Sequence, residues 1–171
     1  MKRSQKQLCL IPKPKLECGG SLNNTGRVQR VIPTKSPLHM VLKSKRRWDL
    51  FKHRSLVVEV LKQQAKAFGI QIYGLSVQMD HIHMSIRVFD RKSYIKFIRA
   101  LNGILARRLG KGLWKFRPYT RIVRWGRDLS QLNDYIFRNE LEVFGFYPYD
   151  RKKSLSELVE TPPLRSVVRL S

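Results

Sequence analysis

The segment IQIYGLSVQMDHIHMSIRV, residues 70–88, holds two adjacent strands and the turn between them. Ile70 to Val77 is rich in β-branched and aromatic residues, which suit a pleated surface. From His81 onward the residues alternate. Ile82, Met84, Ile86 and Val88 point to one face, and His81, His83, Ser85 and Arg87 to the other. Gln78, Met79 and Asp80 form the connection. The apolar face needs helices to cover it, which leaves both histidines projecting together from the open side of the sheet.

Working outward, Leu38 to Leu42 is a short apolar run, and Val57, Val60, Leu61, Ala65 and Phe68 recur at helical spacing before Gly69 at the C-cap. On the other side Asp90 caps a second helix carrying Phe97, Ile98, Leu101, Ile104 and Leu105, which ends near Gly110 and Gly112. Tyr119 to Trp125 supplies a fourth strand, and Asp128 caps a third helix through Asn139. The order β-α-β-β-α-β predicts an α+β fold. It is a ferredoxin-like split βαβ sandwich, an antiparallel sheet with helices on one face, plus an added C-terminal helix. Residues 1–36, with Pro12, Pro14, Gly19, Gly20, Gly26 and Pro33 among basic residues, read as an arm that orders on DNA. Residues 37–147 read as the domain. Residues 148–171 read as a tail with Pro162, Pro163 and a short helix around Leu155 to Val159.

The chain has 171 residues, 42% of them apolar, which is enough for one real core. Against 12 acidic residues stand 35 Lys and Arg, and the net charge of +23 calls for a polyanionic partner, nucleic acid first. No stretch approaches the roughly 20 apolar residues needed to span a bilayer, so no membrane partner is expected and the protein reads as soluble and cytoplasmic. Cys9 and Cys18 lack the spacing of a zinc site and read as two reduced thiols.

His81 and His83 form a pair of nitrogen donors, or else two structural histidines; spacing alone leaves both readings open. Tyr135 and Asn139 are four residues apart, so on a helix they share a face. A tyrosine nucleophile has a pKa near 10 and needs a cation to polarise the phosphate, which two imidazoles and an amide oxygen can hold. Tyr135 reads equally as an amphipathic helix residue beside Leu132 and Ile136. Basic residues punctuate the core, and aromatics are interleaved with them. Arg99, Arg107, Arg108, Lys115, Arg117, Arg121 and Arg124, with Trp114 and Trp125, are the expected DNA-binding set, while Phe116 and Tyr119 add further rings. Arginines neutralise phosphate and rings stack unpaired bases, so single-stranded or hairpin DNA fits better than plain duplex.

HIHM at 81–84, RPYTRIVRWGRD at 117–128 and YIFRN at 135–139 together resemble the REP-associated tyrosine transposases, single-tyrosine HUH enzymes of the IS200-like family. The resemblance covers roughly Pro37 to Phe146. It implies that His81 and His83 are metal ligands, Tyr135 the nucleophile and Asn139 a third ligand. It further implies an endonuclease and strand transferase that cuts and rejoins single-stranded or hairpin DNA through a 5′-phosphotyrosine. Mg²⁺ or Mn²⁺ is the expected cofactor, because a hard cation suits phosphate. The expected assembly is a monomer or homodimer, associated with the nucleoid. Two positions depart from the family pattern: Asp80 stands where many relatives have Asn, and Glu140 and Leu141 follow Asn139 in place of Asn-Pro. The competing functions are a non-catalytic single-stranded DNA- or RNA-binding module and a phosphodiesterase that uses water. Tyr135 separates the three, with Tyr119, Tyr147 and Tyr149 as alternative nucleophiles.

Overall fold

The computed structural model describes residues 17–21, 30–45 and 49–146. The elements run β1 (Glu17–Cys18), β2 (Leu38–Lys43), α1 (Asp49–Lys52), α2 (Arg54–Ala67), β3 (Gln71–Val77), β4 (His81–Arg87), α3 (Arg91–Leu109), β5 (Tyr119–Ile122) and α4 (Arg127–Val143). One sheet has the strand order β1-β5-β2-β4-β3, with every neighbouring pair antiparallel. Its path β2-α2-β3-β4-α3-β5 is the split βαβ arrangement that the sequence predicts.

Register explains the core. Leu38 lies opposite Ile86, Met40 opposite Met84 and Leu42 opposite Ile82, so the alternating apolar residues of β2 and β4 sit side by side on one face. They pack against Val57, Val60 and Leu61 of α2 and Phe97, Leu101 and Leu105 of α3. Burying each such side chain contributes about 1.5–3 kcal/mol. The helices stop and start where local chemistry directs. Asp90 accepts a hydrogen bond from the Ser93 amide at 2.9 Å, and Gly69 ends the α2 turn at a φ of 62°.

The opposite face is covered in part by α4. Leu132 and Ile136 join Val123 and Leu129 in a small second cluster. The helix comes so close that a Cβ on Gly74 would lie 2.9 Å from both Asn133 Oδ1 and Ser85 Oγ, which explains the glycine in mid-strand. Ser85 Oγ donates to Asn133 Oδ1 at 2.6 Å. Further along, Glu140 pairs with Arg54 and accepts from the Val77 amide at 3.2 Å.

Several boundaries differ from the sequence reading. β5 ends at Ile122, not Trp125, and Gly126, at a φ of 80°, begins α4. Asp128 therefore lies in the first turn of that helix and does not cap it. The helix continues past Asn139 to Val143, because Glu140 and Leu141 are anchored against the sheet and core. Within the expected arm, Glu17 and Cys18 pair with Arg121 and Thr120 as an edge strand, and Cys18 is a buried free thiol. The isolated turn α1, Asp49–Lys52, is an element beyond those the sequence predicts. Cys9, the tail helix around Leu155 to Val159, Tyr147 and Tyr149 lie outside the described residues.

Candidate active site

β4 sends His81 and His83 toward the α4 side, opposite Lys43 and Val41 of β2. Their ring centroids are 4.6 Å apart with the planes at 82°. The anchors of α4 then fix Tyr135 edge-on to His83, at 5.4 Å between centroids. The expectation of an open sheet face is corrected here. Because α4 crosses β3 and β4, His83 is only 6% exposed, whereas Tyr135 remains 43% exposed. A buried His83 and a half-buried His81 thus lie beside an accessible phenol.

Each histidine is held through its Nδ1. His81 Nδ1 lies 2.6 Å from Asp80 Oδ1, and the other Asp80 oxygen is 3.5 Å from Lys43 Nζ. Burial works to raise the Asp80 pKa, but the hydrogen bond and charge of His81 and the Lys43 ammonium outweigh it, so the net shift is downward. His83 Nδ1 lies 3.2 Å from Nε2 of His39, whose ring stacks on it at 5.4 Å. His39 was not singled out in the sequence. The alternation Leu38-His39-Met40 was the available signal, since it places His39 on the histidine face once β2 and β4 are known to pair.

Burial lowers the His83 pKa to about 3, helped by the neighbouring His81 and His39 and opposed by Asp80. Burial, then Arg121, lowers His39 to about 4. Both rings are neutral at pH 7, so in the tautomer where His83 Nδ1–H donates to His39, His83 Nε2 has an open lone pair. With Asp80 holding His81 Nδ1 in the same way, the two rings could offer a divalent ion two nitrogens. Among the described residues no group of three or more His, Cys, Asp and Glu side chains is placed to hold a metal. Any ion held beside these rings would need its other donors from an amide, a phosphate or water. Asn139 is one turn beyond Tyr135, and its backbone carbonyl accepts from Gln78 Nε2 at 2.6 Å.

A cleft of about 400 Å³ runs beside Tyr135, lined by His39, Tyr119, Arg121, Gln131 and Glu17 among others. Arg121 is thus brought to the site from the expected DNA-binding set. The other members are spread more widely than one basic surface. Arg99 and Arg117 line a separate cavity, while Arg107, Arg108 and Arg124 are exposed elsewhere. Lys115 lies 5.2 Å from the ring of the exposed Phe116. Trp125 is 47% exposed, donates to the Lys35 carbonyl at 2.7 Å and meets Tyr73 edge-on. Trp114 packs against the main core and gives its indole N–H to the Asn102 carbonyl, so most of its ring is committed to structure.

Residues 34–129, more than half of the chain, match the model of the family described as Transposase IS200 like. The chain belongs to the IS200-like transposase family. The match takes in His39, His81, His83 and Arg121 and ends before Tyr135 and Asn139, so those two stand on the geometry of α4. No curated protein matches the chain. Among solved structures, a REP-associated tyrosine transposase bound to a REP hairpin is 14% identical, covering 68% of this chain and 73% of that one, with a TM-score of 0.55. It supports the fold. A chain from Deinococcus radiodurans R1 described as a transposase is 19% identical over 67% of this chain and 98% of that one, at a TM-score of 0.43. In this IS200-like transposase, no helix among the described residues is long and apolar enough to cross a membrane.

Proposed function

We propose that this transposase is an HUH endonuclease and strand transferase that cuts and rejoins single-stranded or hairpin DNA with Tyr135 as nucleophile. The observation that carries the reading is the exposed Tyr135 ring set 5.4 Å from buried His83, beside His81 and the cleft. The phenol oxygen attacks a phosphodiester phosphorus, the bond to the 3′ oxygen breaks, and the phenol proton passes through solvent to the departing 3′-hydroxyl. A 5′-phosphotyrosine remains, which conserves the bond for rejoining to a new 3′ end. His81, His83 and Asn139 are the proposed ligands of Mg²⁺ or Mn²⁺, which supplies neutralisation of charge at the phosphate. Asp80 and His39 keep the two rings oriented, and Arg121 faces the phosphate in the cleft. Arg99, Arg107, Arg108, Lys115, Arg117, Arg124 and Trp125 track the flanking strand.

In this reading, residues 1–36 are a DNA-binding arm, 37–147 the transposase domain and 148–171 a tail, acting in the cytoplasm at the nucleoid as a monomer or homodimer. A fluorescent hairpin oligonucleotide with single-stranded flanks, incubated with Mn²⁺ and run on a denaturing gel, is expected to give a covalent adduct that mass spectrometry places on Tyr135. Calorimetric titration of Mn²⁺ is expected to lose its signal in the His81→Ala, His83→Ala double variant. Absence of an adduct in the presence of binding leaves a non-catalytic module. Cleavage without an adduct leaves hydrolysis by water.

A further inference from the structure

The end of β3, which leads into the turn carrying Asp80 and His81, is tied to the helix turn that follows Tyr135. β3 is an edge strand, so amides on its outer side have no neighbouring strand to accept from them. Val77 is buried there, and its amide donates instead to Glu140 Oε2 at 3.2 Å. The other carboxylate oxygen accepts from Arg54 Nε at 3.0 Å and also from Arg54 Nη2. One residue on, the Gln78 side chain donates to the Asn139 carbonyl at 2.6 Å and to Ser76 Oγ at 2.7 Å. The Gln78 backbone amide closes the turn by donating to the His81 carbonyl at 2.8 Å.

Packing of Leu132 and Ile136 chooses the face of α4 that meets the sheet, but apolar contact has no direction and resists sliding along the helix axis only weakly. Hydrogen bonds to a carboxylate and a carbonyl are directional and do resist it. Tyr135 is about one turn back from Asn139 and Glu140, so a slide of α4 carries its ring away from His83. A displacement of about 1 Å at a reacting group costs on the order of a hundredfold in rate. We infer that Glu140 and Gln78 are positioning residues, which hold Tyr135 at a set height beside His81 and His83. Neither lines the Tyr135 cleft, so both act through α4 and not on the DNA. The inference rests on Tyr135 being the nucleophile.

The test follows adduct formation in a single turnover, with the full chain, Mn²⁺ and a saturating fluorescent hairpin oligonucleotide with single-stranded flanks. In Glu140→Ala and in Gln78→Ala the rate constant is expected to fall about ten- to a hundredfold, while the Kd for the hairpin stays within about twofold of the parent. Glu140→Gln keeps an oxygen for the Val77 amide and is expected to recover most of the rate lost in Glu140→Ala. A merely structural role would lower the amplitude, which counts folded protein, and leave the rate constant alone. Gln78→Ala keeps the test decisive if Glu140→Ala fails to fold. A parental rate constant in Gln78→Ala, or a loss confined to amplitude or affinity, overturns the inference while the parent's adduct upholds the catalytic reading. A parent that binds the hairpin and forms no adduct at Tyr135 brings down both.

Discussion

The two faces of the sheet are made by neighbouring residues of the same strands, yet they solve opposite problems. On the α2 and α3 face, Met40, Met84, Phe97 and Leu101 are fully buried and carry no polar atom other than the thioethers. On the α4 face, His39, His83 and Ser85 are nearly as buried, and each needs a partner. The first face is tolerant of detail and supplies stability. The second depends on particular pairs, because a buried polar group that loses its partner costs about 1–3 kcal/mol. The cover of this second face is a single helix, and Tyr135 on it stays exposed.

If this division of labour holds, substitutions on the two faces separate activity from stability. The largest effect is expected from Tyr135→Phe, which removes one hydroxyl from an exposed ring. Cleavage and adduct should fall at least about a thousandfold, with an unchanged thermal midpoint. Residual adduct at another residue, Tyr119 in the cleft above all, would move the nucleophile. Phe97→Ala is the converse. It should cost about 3–5 kcal/mol in urea unfolding, while the folded fraction still forms adduct. A loss of adduct by folded Phe97→Ala protein would break the comparison.

Acid should act through the histidine face. His39 and His83 are held below their ordinary value of 6.5, near 4 and 3. Below about pH 6.5 the unfolded chain binds protons that the native rings refuse, so stability falls as pH falls toward 4. The slope is about 1.4 kcal/mol per pH unit for each histidine. Urea unfolding in chelator at pH 7 and 5.5 measures this, and His39→Phe should flatten the curve; a slope left intact by that change would place its origin elsewhere. The smallest effect is expected from Ser85→Ala. Losing the hydroxyl that holds Asn133 should cost about 1 kcal/mol and slow adduct formation by loosening α4. Slower adduct formation with no change in stability would mean that Ser85 serves the chemistry directly.

The strand pair at 70–88, the helices over Val57 and Phe97 and the core residues on them were legible because period-two and period-3.6 patterns are local and strong. His81, His83 and Tyr135 were legible as candidates for the same reason, helped by the family likeness. His39 was hidden because its meaning depends on β2 lying beside β4, forty residues away in the chain. The Glu17–Cys18 strand was hidden because two residues carry no periodicity, and their pairing with β5 is a long-range event. The interleaved aromatics were legible as a group, but their separation into Trp114 in the core and Trp125 at the surface was not.

From the sequence alone came the element order, the apolar face of each strand, the basic charge and the spacing of His81, His83, Tyr135 and Asn139. These follow from backbone geometry that repeats every few residues. Only the tertiary structure decided that α4 crosses the histidine face, that His83 is buried against His39, and that Arg99 and Arg117 share a cavity apart from Arg121. Those outcomes depend on how surfaces far apart in the chain fit together. The close approach over Gly74 and the Ser85 to Asn133 bond show the reason in miniature. Neither residue signals the contact by itself, and the helix settles where shape and hydrogen bonding are satisfied together.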